Sequence, residues 1–365
     1  MSPTPLEHRI RALVRLNGPM PVFDYMGLCL GDPEHGYYMA REPFGAGGDF
    51  VTAPEVSQMF GEMIGAFLVE TWERLGRPAP FQLVEFGPGR GTLMADILRV
   101  AKRVPAFVAA ARLTLIETSP RLRAAQAATL AGAPLKPSWG ERAEDVPAGP
   151  VIAVANEFFD ALPIRQYQRA DGAWHERMVG LDEAGELTFG LGPSVLPGHG
   201  LPERLASAEE GSIVEVAPVG VSVMATLATR IATAGGVLLA IDYGYSGPAF
   251  GDTFQAVRAH THVDPLGRPG EADLTAHVDF TALAAAAQAA GARVHGPVEQ
   301  GAFLLTLGLA ERAGRLGAGK DAATQAELVG QVERLVSPEE MGQLFKVIAV
   351  TPAKVSVPGF AAAAG

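Results

Sequence analysis

The chain has 365 residues, of which 48% are hydrophobic and 19% charged, and a net charge of −11. It is long enough for a full core carrying an insertion or cap, and too apolar for wholesale disorder. The acidity argues against a nucleic-acid-binding or anionic-membrane surface, no apolar run nears the roughly 20 residues of a bilayer span, and a single cysteine, Cys29, builds neither a disulfide framework nor a cysteine metal site.

In chain order, HRIRALVRL places Ile10, Leu13 and Leu16 at helical spacing, so residues 5–30 read as a helical opening. Residues 31–54, rich in Gly and Pro, read as a long functional loop. An amphipathic helix follows over 57–76, opened by Ser57 and closed by Gly76 and Pro78. Alternation then begins. Strands are expected over 81–87, 113–118, 151–157 and 236–244, with helices from Thr92 to Lys102 and from Pro120 to Leu130. Near-continuous apolar strands separated by helices predict an α/β fold with a parallel, doubly wound, Rossmann-like sheet. Residues 294–308 are expected to supply the final strands. Tyr167 to Pro202 alternates in short runs broken by Asp-Gly and Ala-Gly turns, which predicts a small antiparallel α+β insertion. The expected division is an N-terminal helical and lid segment (1–75), a core (76–166 and 233–350, with an insertion at 246–279), a cap region (167–232) and a tail (351–365).

The sharpest signal is EFGPGRGT, from Glu85 through Gly87, Pro88, Gly89 and Gly91 to Thr92. It follows a buried strand and opens a helix, where glycines let the backbone turn tightly and approach a ligand. A dinucleotide fingerprint would want a third Gly where Thr92 stands. Glu85, two residues before the first Gly, suits a ligand with a cationic amino group, as in S-adenosylmethionine. The second strand ends at Glu117-Thr118, where an acid can hold both ribose hydroxyls. The same acid can cap the helix opened by Ser119-Pro120, and it does not separate S-adenosylmethionine from a nicotinamide cofactor. The third strand ends in NEFFDALP, so Asn156, Glu157 and Asp160 lie at a strand's carboxyl end with Phe158 and Phe159 as walls. Asp242 ends the fourth strand.

GDFVTAPEVSQMFGEMIG (48–65), VEFGPGRGTLMADILR (84–99), NEFFDALPIRQ (156–166), IDYGY (241–245) and ADLTAHVDF (272–280) resemble the MidA-type S-adenosylmethionine-dependent methyltransferases over nearly the whole chain. The resemblance implies a class I methyltransferase fold and S-adenosylmethionine as cofactor, with S-adenosylhomocysteine as product. Mitochondrial members are complex I assembly factors that dimethylate an arginine on an NADH dehydrogenase subunit, so the implied partner is a protein with a reactive arginine. By the same resemblance Gly87, Gly89 and Gly91 form the cofactor loop, Glu117 holds the ribose, and Asn156 and Glu157 lie near the methyl. The segment Gly48, Asp49, Phe50, Thr52 and Pro54 would fold over the cofactor as a lid.

A guanidinium acceptor stays protonated in water and asks for a carboxylate that orients one nitrogen and takes its proton. Glu157, Asp242 and Asp160 are the candidates, with Glu157 and Asp242 preferred. His260, His262 and His277 offer no third ligand at suitable spacing, so no metal is expected; Arg258 and His277 are candidate substrate contacts. No nucleic-acid partner is expected, and a homodimer is compatible with the sequence. The lone cysteine and the lack of a leader-like start point to the bacterial cytoplasm, or to the mitochondrial matrix for a eukaryotic chain.

Overall fold

The computed structural model describes residues 3–40, 52–195, 208–247 and 249–360. The chain forms two compact units, one from Val51–Phe159, Val221–Ser246 and Phe280–Gly365, the other from Met1–Phe50, Asp160–Gly220 and Gly247–Asp279.

The first unit contributes seven strands to the main sheet: β1 (Phe81–Phe86), β2 (Ala111–Ile116), β3 (Ser138–Gly140), β4 (Val151–Asn156), β5 (Gly236–Tyr245), β6 (Arg293–Glu299) and β7 (Phe345–Thr351). Their order is β3-β2-β1-β4-β5-β7-β6. The pairs from β3 to β5 are parallel, and β7 runs antiparallel to both β5 and β6. Every residue of β1 and β4 is buried, as a sheet covered on both faces requires. The chain runs outward from β1 to β2 and β3, then returns to β4 on the other side. The order therefore reverses between β1 and β4, and the carboxyl ends of these strands flank the crevice where open α/β sheets bind ligands.

The helix Gln58–Arg74 packs Phe60, Phe67 and Trp72 into the same core as Leu93, Met94 and Ile97 of the helix Thr92–Ala101. Ser57 caps the first of these, its hydroxyl accepting the Met59 N–H at 3.2 Å. The two helices touch because Gly61 has no side chain: a Cβ there would stand 2.5 Å from the Asp96 Cβ. This packing assigns residues 58–74 to the sheet unit, whereas the sequence division grouped them with the N-terminal segment.

Three further elements differ from expectation. Residues 300–306 form a helix, not a strand, and bury Gln300, Gly301, Phe303 and Leu304 at helical spacing. The closing strand is instead β7, FKVIAVT, which sequence reading passed over, as it did the three-residue β3.

The second unit holds an antiparallel sheet. Ala173–Leu181 is its centre, paired with Leu187–Val195 on one side and with Arg165–Ala170 and Met20–Pro21 on the other, and Ile213–Val216 closes the far edge. This is the expected antiparallel insertion. A three-stranded sheet orders the second insertion, with Gln255–Arg258 between Thr261–Val263 and Asp273–Thr275. The helices Pro5–Asn17 and Val22–Gly31 supply its apolar cover through Leu6, Ile10, Val22, Tyr25 and Met26. No described helix is long and apolar enough to cross a membrane.

Candidate active site

The glycine turn opens directly from β1. Gly87, Gly89 and Gly91 have φ of 61°, 51° and 84°, a left-handed region that costs other residues about 1–2 kcal/mol. Space adds a second demand at Gly87, where a Cβ would lie 3.1 Å from the Phe158 ring. Pro88 and Gly91 are buried, whereas Gly87 is exposed and Gly89 half-exposed, so the turn offers bare backbone outward. Thr92 begins the helix behind it. Gly87→Ala is expected to lower nucleoside affinity at least tenfold and to destabilise the fold by about 1–2 kcal/mol, measured by calorimetric titration and urea melting; wild-type affinity would remove Gly87 from the site.

Glu85 sits two residues before this turn. Its carboxyl is buried, receives the Met94 N–H, and is pushed by desolvation up to about 8. Its Oε2 has no hydrogen-bond partner among the described residues. The folded chain thus keeps a proton that the unfolded chain releases near pH 4.5. The associated stability is present below about pH 4.5 and is lost as pH rises through about 8. Urea melts of the ligand-free protein at pH 5 and pH 8 should show a loss on the order of 3 kcal/mol that Glu85→Gln largely abolishes. Equal losses in both proteins would contradict this.

Glu117 stands at the tip of β2, buried, with its pKa raised by desolvation against the pull of its hydrogen bonds. One carboxylate oxygen accepts the Ser119 N–H at 2.8 Å and the other the Gln126 amide at 3.1 Å. Helix capping belongs to Ser119, whose hydroxyl accepts the Leu122 N–H at 3.4 Å. Thr118 beside it is exposed.

At the tip of β4, Asn156 is buried, and its Oδ1 also has no partner among the described residues. Asn156 Oδ1 is thus an orphaned acceptor at the carboxyl end of β4, beside the switch point, and an acceptor left open there fits a ligand that brings a hydrogen-bond donor.

Glu157 has φ of 51°, left-handed in a residue that does not favour it. Such strain persists only where neighbours over-determine it, and it clusters at functional positions. Here the Glu157 N–H bonds the Ile241 carbonyl at 2.9 Å, while Asp242 accepts the Phe158 and Phe159 N–H groups at 3.1 and 2.9 Å and its own neighbour Tyr243 N–H at 3.0 Å. The Glu157 carboxylate receives the Asn156 amide at 3.0 Å and the Ala53 N–H at 3.3 Å. Ala53 starts a short helix, Ala53–Val56, with Thr52 as its N-cap and Pro54 buried within it. Gly48, Asp49 and Phe50 lie outside the described residues.

The expected acids thus divide. Asp242 is wholly buried and its carboxylate grips the turn after β4, so its geometry is that of a group that holds Glu157 in place. Asp242→Asn puts an amide N–H against backbone donors and is expected to cost about 2–4 kcal/mol of stability, read by thermal melting; an unchanged melting temperature would refute the turn-holding role. Asp160 belongs to the second unit, where it is buried, its carbonyl accepts the Ala276 N–H at 3.0 Å, and it acts with Asp273 on the Tyr38 hydroxyl. His260 sits in a hairpin turn at φ 60°, His262 lies on the strand Thr261–Val263, and the described residues hold no cluster able to bind a metal. Sequence reasoning missed the Ala53 amide and Gln126; the latter's only signal was a polar residue on the buried stripe of its helix, four positions after Leu122.

Comparison with known proteins gives the family. A family model described as "Putative S-adenosyl-L-methionine-dependent methyltransferase" matches residues 63–298. The chain belongs to this methyltransferase family. Similar curated proteins include the mitochondrial protein arginine methyltransferase NDUFAF7 of Homo sapiens, 35% identical over 96% of this chain and 84% of that protein. The homologue in Drosophila melanogaster is 40% identical over 95% of this chain and 85% of its own. Among solved structures, a Burkholderia thailandensis protein bound to S-adenosyl-homocysteine superposes with a TM-score of 0.83 at 27% identity, covering 98% of this chain and 97% of that one. The sheet is accordingly the class I methyltransferase fold, and the methyltransferase uses S-adenosylmethionine.

Proposed function

We propose that this methyltransferase methylates arginine in a protein substrate, with Glu157 as the carboxylate that orients and deprotonates the guanidinium. The observation that carries the reading is the strained, over-determined placement of Glu157 at the switch-point end of β4. The names of the curated relatives support the arginine acceptor.

Bound S-adenosylmethionine supplies an electrophilic methyl group on a positively charged sulfur. Gly87, Gly89 and Gly91 admit the cofactor's methionine portion against bare backbone, and Glu117 accepts its ribose hydroxyls. The carbonyl oxygen of Asn156, short of a donor among the described residues, serves as a further anchor. Glu157 pairs with the guanidinium, holds one nitrogen for in-line attack, and takes the proton released as the N–C bond forms. Most of the acceleration comes from this alignment. Asp242 acts through Glu157 and touches neither reactant.

The acceptor we propose is an arginine on a subunit of the respiratory NADH dehydrogenase, in the bacterial cytoplasm or, for a eukaryotic host, the mitochondrial matrix. Mass spectrometry of that enzyme with and without the gene tests this. Loss of a dimethyl-arginine on deletion supports it; an unchanged complement of methyl-arginines overturns it in favour of another acceptor.

A further inference from the structure

The helix Pro120–Thr129 follows β2 and carries one fully buried polar side chain, Gln126. Its amide nitrogen donates to the Gly89 carbonyl at 2.8 Å and to Glu117 Oε2 at 3.1 Å. Its amide oxygen accepts the Trp139 indole N–H at 2.8 Å. Both N–H groups are spent on acceptors and the oxygen on a donor, so the amide has one orientation: reversed, it would set oxygen against oxygen at Glu117 and at Gly89, and nitrogen against the indole donor. The third glycine of the turn lies beside this helix: a Cβ on Gly91 would make ordinary contact with Gln126 at 3.4 Å, so it is the positive φ of 84° rather than space that asks for glycine there. From the same helix Arg123 holds the Glu117 carbonyl through Nε at 2.8 Å.

We infer that Gln126 is a positioning residue that ties the ribose-binding carboxylate of Glu117 to the glycine turn, so that nucleoside and methionine portions of the cofactor are gripped in fixed register. This rests on the reading of Glu117 as the ribose ligand. Ser119 N–H reaches one Glu117 oxygen and Gln126 the other, the Thr118 N–H also donates to the carboxylate, and a carboxylate's four lone-pair sites leave acceptor capacity for the ribose. The Gln126 donor also favours the charged form of a carboxylate that burial drives toward protonation.

The test is calorimetric titration of S-adenosylhomocysteine from pH 5.5 to 8.5 into the wild type, Gln126→Leu, Glu117→Gln and the double variant. Gln126→Leu should weaken binding by about 10–100-fold at pH 8 and move the acid limb of the affinity profile to higher pH. In the Glu117→Gln background the same change should cost far less and shift no pH limb. A wild-type pH profile in Gln126→Leu, or strictly additive losses in the double variant, overturns the proposal. Wild-type affinity in Glu117→Gln would instead overturn the ribose reading itself. Should Gln126→Leu fail to fold, Gln126→Met keeps the side-chain length and removes both N–H donors. It should weaken binding severalfold with the same pH shift, and an unshifted profile there counts against the proposal.

Discussion

Glu157→Gln is expected to bind S-adenosylhomocysteine within about threefold of wild type while its methyl transfer falls by about 10²–10⁴-fold, the range of a lost general base. The substitution keeps length and volume, so it can still accept the Ala53 and Asn156 N–H groups that reach the native carboxylate at 3.3 and 3.0 Å. What it loses is the charge that pairs with a guanidinium and the capacity to accept its proton. The drop should therefore fall mainly on kcat. Initial rates of radiolabel transfer from S-adenosylmethionine into extracts of a strain lacking the gene measure it. Substantial activity in Glu157→Gln would mean that another group takes the proton. Asp242→Asn supplies the contrast: its effect should follow the fraction folded, because its carboxylate is occupied by backbone N–H groups.

Glu117→Ala is expected to raise the dissociation constant for S-adenosylmethionine by about two orders of magnitude, because two charge-assisted hydrogen bonds to the ribose are worth roughly 1.5–3 kcal/mol or more together. The same variant leaves the Gln126 amide with an unsatisfied N–H, so some destabilisation without ligand should accompany it. Titration with S-adenosylhomocysteine and with adenosine separates the terms: both ligands share the ribose and should lose similar factors. A loss confined to S-adenosylhomocysteine would place Glu117 against the homocysteine portion instead.

Much of the sheet was legible because its signals are local. The strand at Phe81–Phe86, the glycines that must take positive φ, and the Ser57 cap each depend on a handful of neighbouring residues. The run GAFLLT was not legible as helix, because short apolar stretches serve either element and only the spacing of Gln300, Phe303 and Leu304 distinguishes them. The roles of the acids were harder still. Asp242 and Glu157 both stand at strand tips, and nothing in IDYGY says that the Asp242 carboxylate is spent on amides more than eighty positions earlier in the chain. Glu85 reads as a ligand contact from its place before the turn, but nothing in the strand pattern announces that its carboxyl is buried and receives the Met94 N–H of the following helix. Gln126 escaped for the same reason as Asp242, since its three partners come from three separate segments.

The position of the cofactor sulfur relative to Glu157 decides whether that carboxylate can act on an acceptor nitrogen. A crystal structure of the complex with S-adenosylhomocysteine measures this. It should show both ribose hydroxyls on Glu117, the homocysteine chain across Gly87–Gly91, and the sulfur facing the Glu157 carboxylate across a space wide enough for a guanidinium. A nucleoside held away from Glu117, or a Glu157 carboxylate walled off from the sulfur, would contradict it.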